Sequence, residues 1–259
     1  MTASRCLGAG CLLALYPSMV MPGKDATARM RRSSMSGASM RNNSRGVSEL
    51  ASTRFMRCTS EQEDALRREG YALVAGVDEA GRGALFGPVY AAAVILDPAR
   101  RVDGLVDSKV LSPARREELA AVIRANSIAW AIGTADAAEI DRINIYQASR
   151  LAMKRAVEAL LPAPHYLLID ALTIEWVGPQ RGIVKGDAQV ECIAAASILA
   201  KTGRDDCMRE MHRRYPGYGL DQHKGYPTLE HREALRRLGV TELHRKSYAP
   251  VAAAAQVAR

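Results

Sequence analysis

The chain has 259 residues, of which 48% are hydrophobic and 25% charged, with a formal net charge of +8. A composition this apolar buries a core of ordinary size and excludes disorder throughout, and the length fits one domain with or without a tail. The five cysteines are odd in number and never spaced CxxC, so neither a disulfide framework nor a zinc site follows, and a reducing compartment, the cytoplasm, fits best.

The charge is unevenly placed: residues 1–57 carry +7, residues 58–180 carry −4 and residues 181–259 carry +5. Near the start, "CLGAGCLLALYPSMVMPG" is interrupted by Pro17 and too short to span a bilayer. The Ser-, Arg- and Met-rich run after it has no periodicity, so 1–57 reads as a disordered or mis-assigned extension, with a transit peptide as the minor alternative. The body, 58–259, has no long apolar run, which argues against a membrane span. An acidic stretch followed by a basic C-terminal third suits a protein that binds a cation beside a polyanion.

In chain order, 61–71 reads as a short helix stopped at Gly70, and 72–80 ("ALVAGVDEA") as a strand broken at Gly81 and Gly83. A second strand, 88–96, enters a turn at Asp97-Pro98. Residues 112–127 form a helix with Ser112 as N-cap and Pro113 at its first position. Then come a strand (128–135), a long helix (143–161) ended by Pro162, and a buried strand (165–170) stopping at Asp170. Residues 181–187 read as a short strand ending at Asp187, 190–214 as a helix and 228–239 as the last helix before a loop and tail. Strands alternating with helices predict an α/β layered fold, a mixed sheet covered by helices.

Three strands therefore end in acids: Asp78 with Glu79, Asp170, and Asp187. One such Asp is more often a turn former than a ligand, but three strand ends together predict a carboxylate cluster. Hard oxygen ligands without His or Cys select magnesium or manganese over zinc. Adjacent strand residues face opposite ways, so Asp78 and Glu79 share a site only if the strand bends, which Gly81 and Gly83 allow. Arg82 between them offers a fork to a phosphate. On the 190–214 helix Ser197, Lys201 and Arg204 or Asp205 share one face, by default a solvated one. The five histidines form no metal pair and read as surface or nucleic-acid contacts.

Six segments, "GVDEAGRG" (76–83), "DSKVLSPARRE" (107–117), "LLID" (167–170), "VKGDAQVECIAAASILAKTGRD" (184–205), "YGLDQHKGYPT" (218–228) and "HRKSYAPV" (244–251), together resemble bacterial ribonuclease HII, the type 2 ribonuclease H. The resemblance implies an RNase H-like mixed sheet flanked by helices with a C-terminal helical extension. It also implies cleavage of RNA in RNA–DNA hybrids and 5′ of ribonucleotides embedded in duplex DNA, by a monomer. By it, Asp78, Glu79, Asp170 and Asp187 are the metal-binding catalytic acids, and Gly81, Arg82 and Gly83 form the loop that senses the 2′-hydroxyl. Tyr226 would pack on the neighbouring deoxyribose, and Ser108, Lys109, Lys185, Ser197, Lys201 and Arg204 would contact substrate or support the site. Two departures stand out: Ala171 where the family usually has Gly, and Phe86 in "GRGALFGPV".

Four acids carry enough charge for two Mn2+ or Mg2+ ions about 3.5–4 Å apart, suiting in-line hydrolysis, and the resemblance implies that it leaves 5′-phosphate and 3′-hydroxyl ends. A metal-dependent DNA nuclease or strand-transfer enzyme uses similar acids, and a catalytically silent nucleic-acid-binding module is the reading from a different class. A phosphate-loop protein is discounted, because the GxxxxGK[ST] spacing is absent.

Overall fold

The computed structural model describes residues 58–257, so the expectations for residues 1–57 lie outside the described residues. The elements run α1 (Glu61–Arg68), β1 (Val74–Ala80), β2 (Val89–Leu96), α2 (Pro113–Asn126), β3 (Ser127–Ala135), α3 (Ala137–Glu158), β4 (Tyr166–Asp170) and β5 (Gln180–Ile183). A one-turn 3-10 helix (Gly186–Ala188) follows, then α4 (Glu191–Arg214), α5 (Leu220–His223), α6 (Leu229–Leu238) and α7 (Ala249–Val257).

The five strands form one sheet in the order β3-β2-β1-β4-β5. The pairs β1–β2 and β2–β3 are antiparallel, while β1–β4 and β4–β5 are parallel, so the mixed sheet expected from the alternating pattern is present. Alternation along each strand splits the apolar residues between two cores. Val74, Ala92, Val94 and Leu168 face α2 and α4, whereas Ala75, Val77, Ala91, Leu167 and Ile169 face α3. Gly76 lies where α4 crosses β1, and a Cβ there would overlap the Cys192 backbone. A glycine is required for α4 to approach the sheet that closely, and this brings the α4 side chains over the ends of β1 and β4.

Several boundaries differ from the sequence reading. The long helix begins at Ala137, with Asp136 and Glu139 forming a reciprocal capping box, and is kinked at Asn144 (φ 64°). Asn144 caps the second half by accepting from Gln147 N at 3.1 Å, which is why the pattern alone suggested a start near 143. The strand expected through Asp187 stops at Ile183, because Lys185 turns left-handed (φ 57°) and starts the 3-10 turn. The tail after α6 contains α7, whose apolar run packs Val251 with Leu85 and Leu235. Among the described residues no helix is long and apolar enough to cross a membrane.

Candidate active site

Asp78 and Asp170 meet through the parallel pairing of β1 with β4. Val77 is registered with Ile169, so the C-terminal ends of the two strands, with their acids, lie side by side. The bend expected at Asp78-Glu79 is not there: the ladder with β2 runs unbroken from Ala75 to Ala80, and the turn comes at Gly81 (φ 95°). By alternation Asp78 faces α4 and Glu79 leaves the opposite face, where Arg82 Nη1 meets its Oε1 at 3.2 Å, yet at the very end of the strand Glu79 stays close enough to the other acids for the Asp170 charge to act on it. Asp187 arrives from the 3-10 turn, which is tied to Asp170 by a 2.7 Å bond from Gly186 N to Asp170 Oδ1.

These acids repel one another in a poorly solvated place. Burial is the main reason that Asp78 titrates well above the ordinary carboxylate range, and the charges of Glu79 and Asp170 push it in the same direction. Glu79 is raised by burial against the opposing pull of Arg82, and Asp170 is raised by burial and by the Asp187 charge. A hydrogen bond from Ser197 on α4 partly relieves Asp78, whose Oδ1 also accepts from Glu79 N at 2.7 Å. Ser108 Oγ lies 3.0 Å from Ser197 Oγ, so these two hydroxyls continue inward from Asp78. Lys109 places its exposed ammonium 2.6 Å from Asp187 Oδ2. Burial would lower the Lys109 pKa, but the bond to Asp187 and the nearby carboxylates outweigh it and raise it.

The donor set suits a hard divalent cation: four carboxylates, with no imidazole or thiol bonded to them. Glu79 Oε2 is buried without a hydrogen-bond partner, the condition of an oxygen that a cation would satisfy. Among the described residues, however, no three acidic, histidine or cysteine side chains converge as a formed metal site. Each carboxylate turns at least one oxygen to Arg82, Lys109 or a backbone N–H.

The remaining predicted residues fall into three groups. Gly83 and Arg82 are exposed on the turn, and Tyr226, half-buried, faces it: a Cβ on Gly83 would lie 3.9 Å from the Tyr226 ring. Lys185 is exposed beside Asp187. Ser197, Arg204 and Asp205 are buried, so the expected solvated face of α4 is a buried one. Lys201 bonds Asp205 at 2.5 Å and has its pKa lowered by burial. Arg204 is completely buried and donates to the carbonyls of Lys224 (2.9 Å), Phe86 (3.3 Å) and Pro88 (3.4 Å), so its role as a substrate contact gives way to a scaffold role. Its guanidinium also lies over the Tyr226 ring, 5.3 Å from the centroid.

Sequence reasoning missed four supporting residues. Arg116 on α2 holds the loop carrying Ser108 and Lys109 through the Ser108 and Leu111 carbonyls, at 3.1 and 2.6 Å. Arg245 is buried under Arg82. His231 and His244, expected at the surface, are completely buried with their Nε2 atoms 3.3 Å apart. His231 Nδ1 is 3.0 Å from the Tyr226 carbonyl, so this pair sits behind the Tyr226 loop. Nothing in spacing distinguishes such residues from ordinary surface cations; only the place of Arg116 in segment 107–117 and of His244 and Arg245 in segment 244–251 pointed to them, and His231 lies in none of the quoted segments. Phe86 is fully buried, edge-on to His244 at 4.8 Å and to Tyr215 at 5.6 Å, and serves as core. Ala171 adopts a left-handed conformation (φ 51°), which explains why glycine suits this position.

Comparison with known proteins agrees with this geometry. The ribonuclease HII family model matches residues 75–251. Ribonuclease HII of Solibacter usitatus (strain Ellin6076) is 55% identical over 197 residues, covering 76% of this chain and 86% of that one. The crystal structure of ribonuclease H2 from Pyrococcus horikoshii OT3 superposes with a TM-score of 0.62 at 24% identity, covering 71% of this chain and 98% of that one. That of Bst-RNase HIII in complex with Mn2+ gives a TM-score of 0.58 at 21% identity, covering 87% and 79%. The chain therefore belongs to the ribonuclease HII family and is a ribonuclease H, an endonuclease acting on the RNA of RNA–DNA hybrids.

Proposed function

We propose that the chain also nicks duplex DNA on the 5′ side of a single embedded ribonucleotide, using two divalent cations held by Asp78, Glu79, Asp170 and Asp187, and leaves 5′-phosphate and 3′-hydroxyl ends. The observation that carries the reading is the buried, unpartnered Glu79 Oε2 beside carboxylates that repel one another at the ends of two parallel strands. Such a group is stabilised by positive charge, and the Mn2+ reported with Bst-RNase HIII is consistent with that. When bound, Mg2+ or Mn2+ would acidify a water and offset the charge gathering on the phosphate.

The chain's own residues orient and discriminate. Ser197 holds the Asp78 carboxylate, and Gly186 N holds that of Asp170, so neither turns freely. Lys109 and Lys185, both exposed next to Asp187, supply positive charge for the nucleic-acid backbone. Phosphate contacts do not separate RNA from DNA, so selectivity falls to groups that meet the sugar. The exposed Gly83 backbone is available to the 2′-hydroxyl, and the Tyr226 ring opposite it can pack on the adjacent deoxyribose, which has none.

All four acids and both sugar-facing groups come from one chain, which supports a monomer as the active unit. The free thiols of Cys58, Cys192 and Cys207 suit the reducing cytoplasm. The test is cleavage of a duplex with one ribonucleotide, beside an all-DNA duplex and a hybrid, in Mg2+, Mn2+ and chelator. Cleavage immediately 5′ of the ribonucleotide in either metal, none in chelator and none of all-DNA is the expected result; cleavage of all-DNA at a similar rate refutes it.

A further inference from the structure

Arg204 and Arg245 are both completely buried, and among the described residues neither forms an ion pair. Burying a guanidinium costs several kcal/mol unless its hydrogens are satisfied, so what those hydrogens hold is informative. Arg245 donates from Nε to Gly87 O at 2.9 Å, and from Nη1 to Arg82 O at 2.8 Å and to the Tyr248 hydroxyl at 3.2 Å. The Tyr248 hydroxyl in turn donates to the same Arg82 carbonyl at 2.6 Å. Nη2 is left buried without a partner, an arrangement that fold stability alone does not favour. Burial lowers the Arg245 pKa to about 10, so the group still carries its charge at neutral pH.

Two donors thus grip one carbonyl in the turn that carries the sugar-facing glycine. In a trans peptide the carbonyl and the following N–H point in opposite directions. Drawing Arg82 O toward a buried guanidinium therefore turns the Gly83 N–H outward. Gly83 is exposed, and among the described residues no acceptor meets its N–H. A cation and a hydroxyl on the carbonyl also polarise the peptide and strengthen that N–H as a donor. The clamp is held in register by backbone bonds from Arg245 N to Leu85 O (2.8 Å) and from Gly87 N to Leu243 O (2.9 Å). Leu85 N donates to Gly225 O at 2.8 Å, so the same segment is tied to the loop that carries Tyr226.

We propose that Arg245 and Tyr248 are positioning residues for ribose recognition: by holding the Arg82 carbonyl inward they aim the Gly83 N–H at the 2′-oxygen of the ribonucleotide. This rests on the reading that the 81–83 turn senses the 2′-hydroxyl, and it assigns the orientation of that turn to the C-terminal segment.

The test uses the full chain with Asp170→Asn to prevent turnover, and compares its affinity for a duplex with one ribonucleotide and for the same duplex with deoxyribose there. Tyr248→Phe removes one hydroxyl from a half-buried ring and leaves its packing. Losing this hydroxyl is expected to shrink the preference for the ribonucleotide about three- to tenfold, with all-DNA affinity unchanged and the melting temperature lowered by no more than a few degrees. Arg245→Lys, which keeps the charge but cannot span Gly87 O and Arg82 O, is expected to do the same or more. An unchanged preference in Tyr248→Phe, or an equal loss on both duplexes, overturns the proposal. If the chain with Arg245 and Tyr248 intact shows no preference at all, the reading of the turn itself fails, and the proposal with it.

Discussion

Gly81 and Gly83 look equivalent in the sequence, yet the structure predicts opposite consequences for replacing them with alanine. At Gly81 the backbone has φ 95°, and an added Cβ would overlap the buried Arg204 guanidinium. The left-handed conformation costs a side-chain-bearing residue about 1–2 kcal/mol. Displacing Arg204 also weakens its bonds to the carbonyls of Phe86, Pro88 and Lys224, at about 1 kcal/mol each. Gly81→Ala should therefore lose about 3–5 kcal/mol, a melting-temperature drop on the order of 10 °C for a domain of this size. Gly83 has open space, its nearest neighbour being the Tyr226 ring at 3.9 Å, so Gly83→Ala should melt within about 2 °C of the parent. Its new methyl would stand between the turn and Tyr226, displacing the sugar and lowering kcat/KM on the single-ribonucleotide duplex about a hundredfold. Thermal melts and steady-state kinetics on both variants decide the matter. A Gly81→Ala protein as stable as the parent, or a Gly83→Ala protein with full activity, would refute the division of labour between the two glycines.

Other expectations are equally direct. Ala171→Gly relieves a left-handed residue at φ 51° and, after the entropy that glycine adds to the unfolded chain, should stabilise by up to about 1 kcal/mol in a urea titration. Burial holds His231 at about 4 and His244 at about 3, below the ordinary histidine value, so the unfolded chain takes up protons first on acidification. The stability these residues confer is complete above about pH 6.5 and is lost as the pH falls toward 4, at up to about 1.4 kcal/mol per pH unit for each. Denaturant titrations of His244→Gln should show roughly half the parent's loss across that window. Lys109→Ala removes one exposed ammonium and should reduce the slope of log affinity against log salt by about one, alike on hybrid and DNA duplexes.

The layered fold was legible because its signals are periodic and local. Apolar β1, β2 and β4 alternate with helices that begin at recognisable caps such as Ser112, whose side chain accepts from Arg115 N at 3.3 Å. Asn144 was the main local failure, since a residue that both kinks α3 and caps its second half imitates a helix start. Asp187 was found for an imperfect reason: the strand thought to deliver it stops at Ile183, and a left-handed Lys185 carries the chain on. The acids themselves stood out because carboxylates closing apolar strands are unusual. The scaffold role behind them did not, because Arg204 and Arg245 bond mainly to carbonyls distant in sequence, and His231 and His244 are buried against each other and against backbone and side-chain groups of their own loops. A buried arginine with bonds to carbonyls 116 to 163 positions away among its partners reads, in one dimension, as a surface charge.

The central claim is that Asp78, Glu79, Asp170 and Asp187 act together as ligands for two divalent cations during cleavage. The most direct measurement is the number of Mn2+ ions bound, by paramagnetic resonance, when the chain holds a duplex whose scissile phosphate has been made uncleavable. Two ions in the parent, and one or none after Asp78→Asn, Asp170→Asn or Asp187→Asn with duplex binding retained, is the result predicted. Two ions still bound after each of these substitutions would contradict the account.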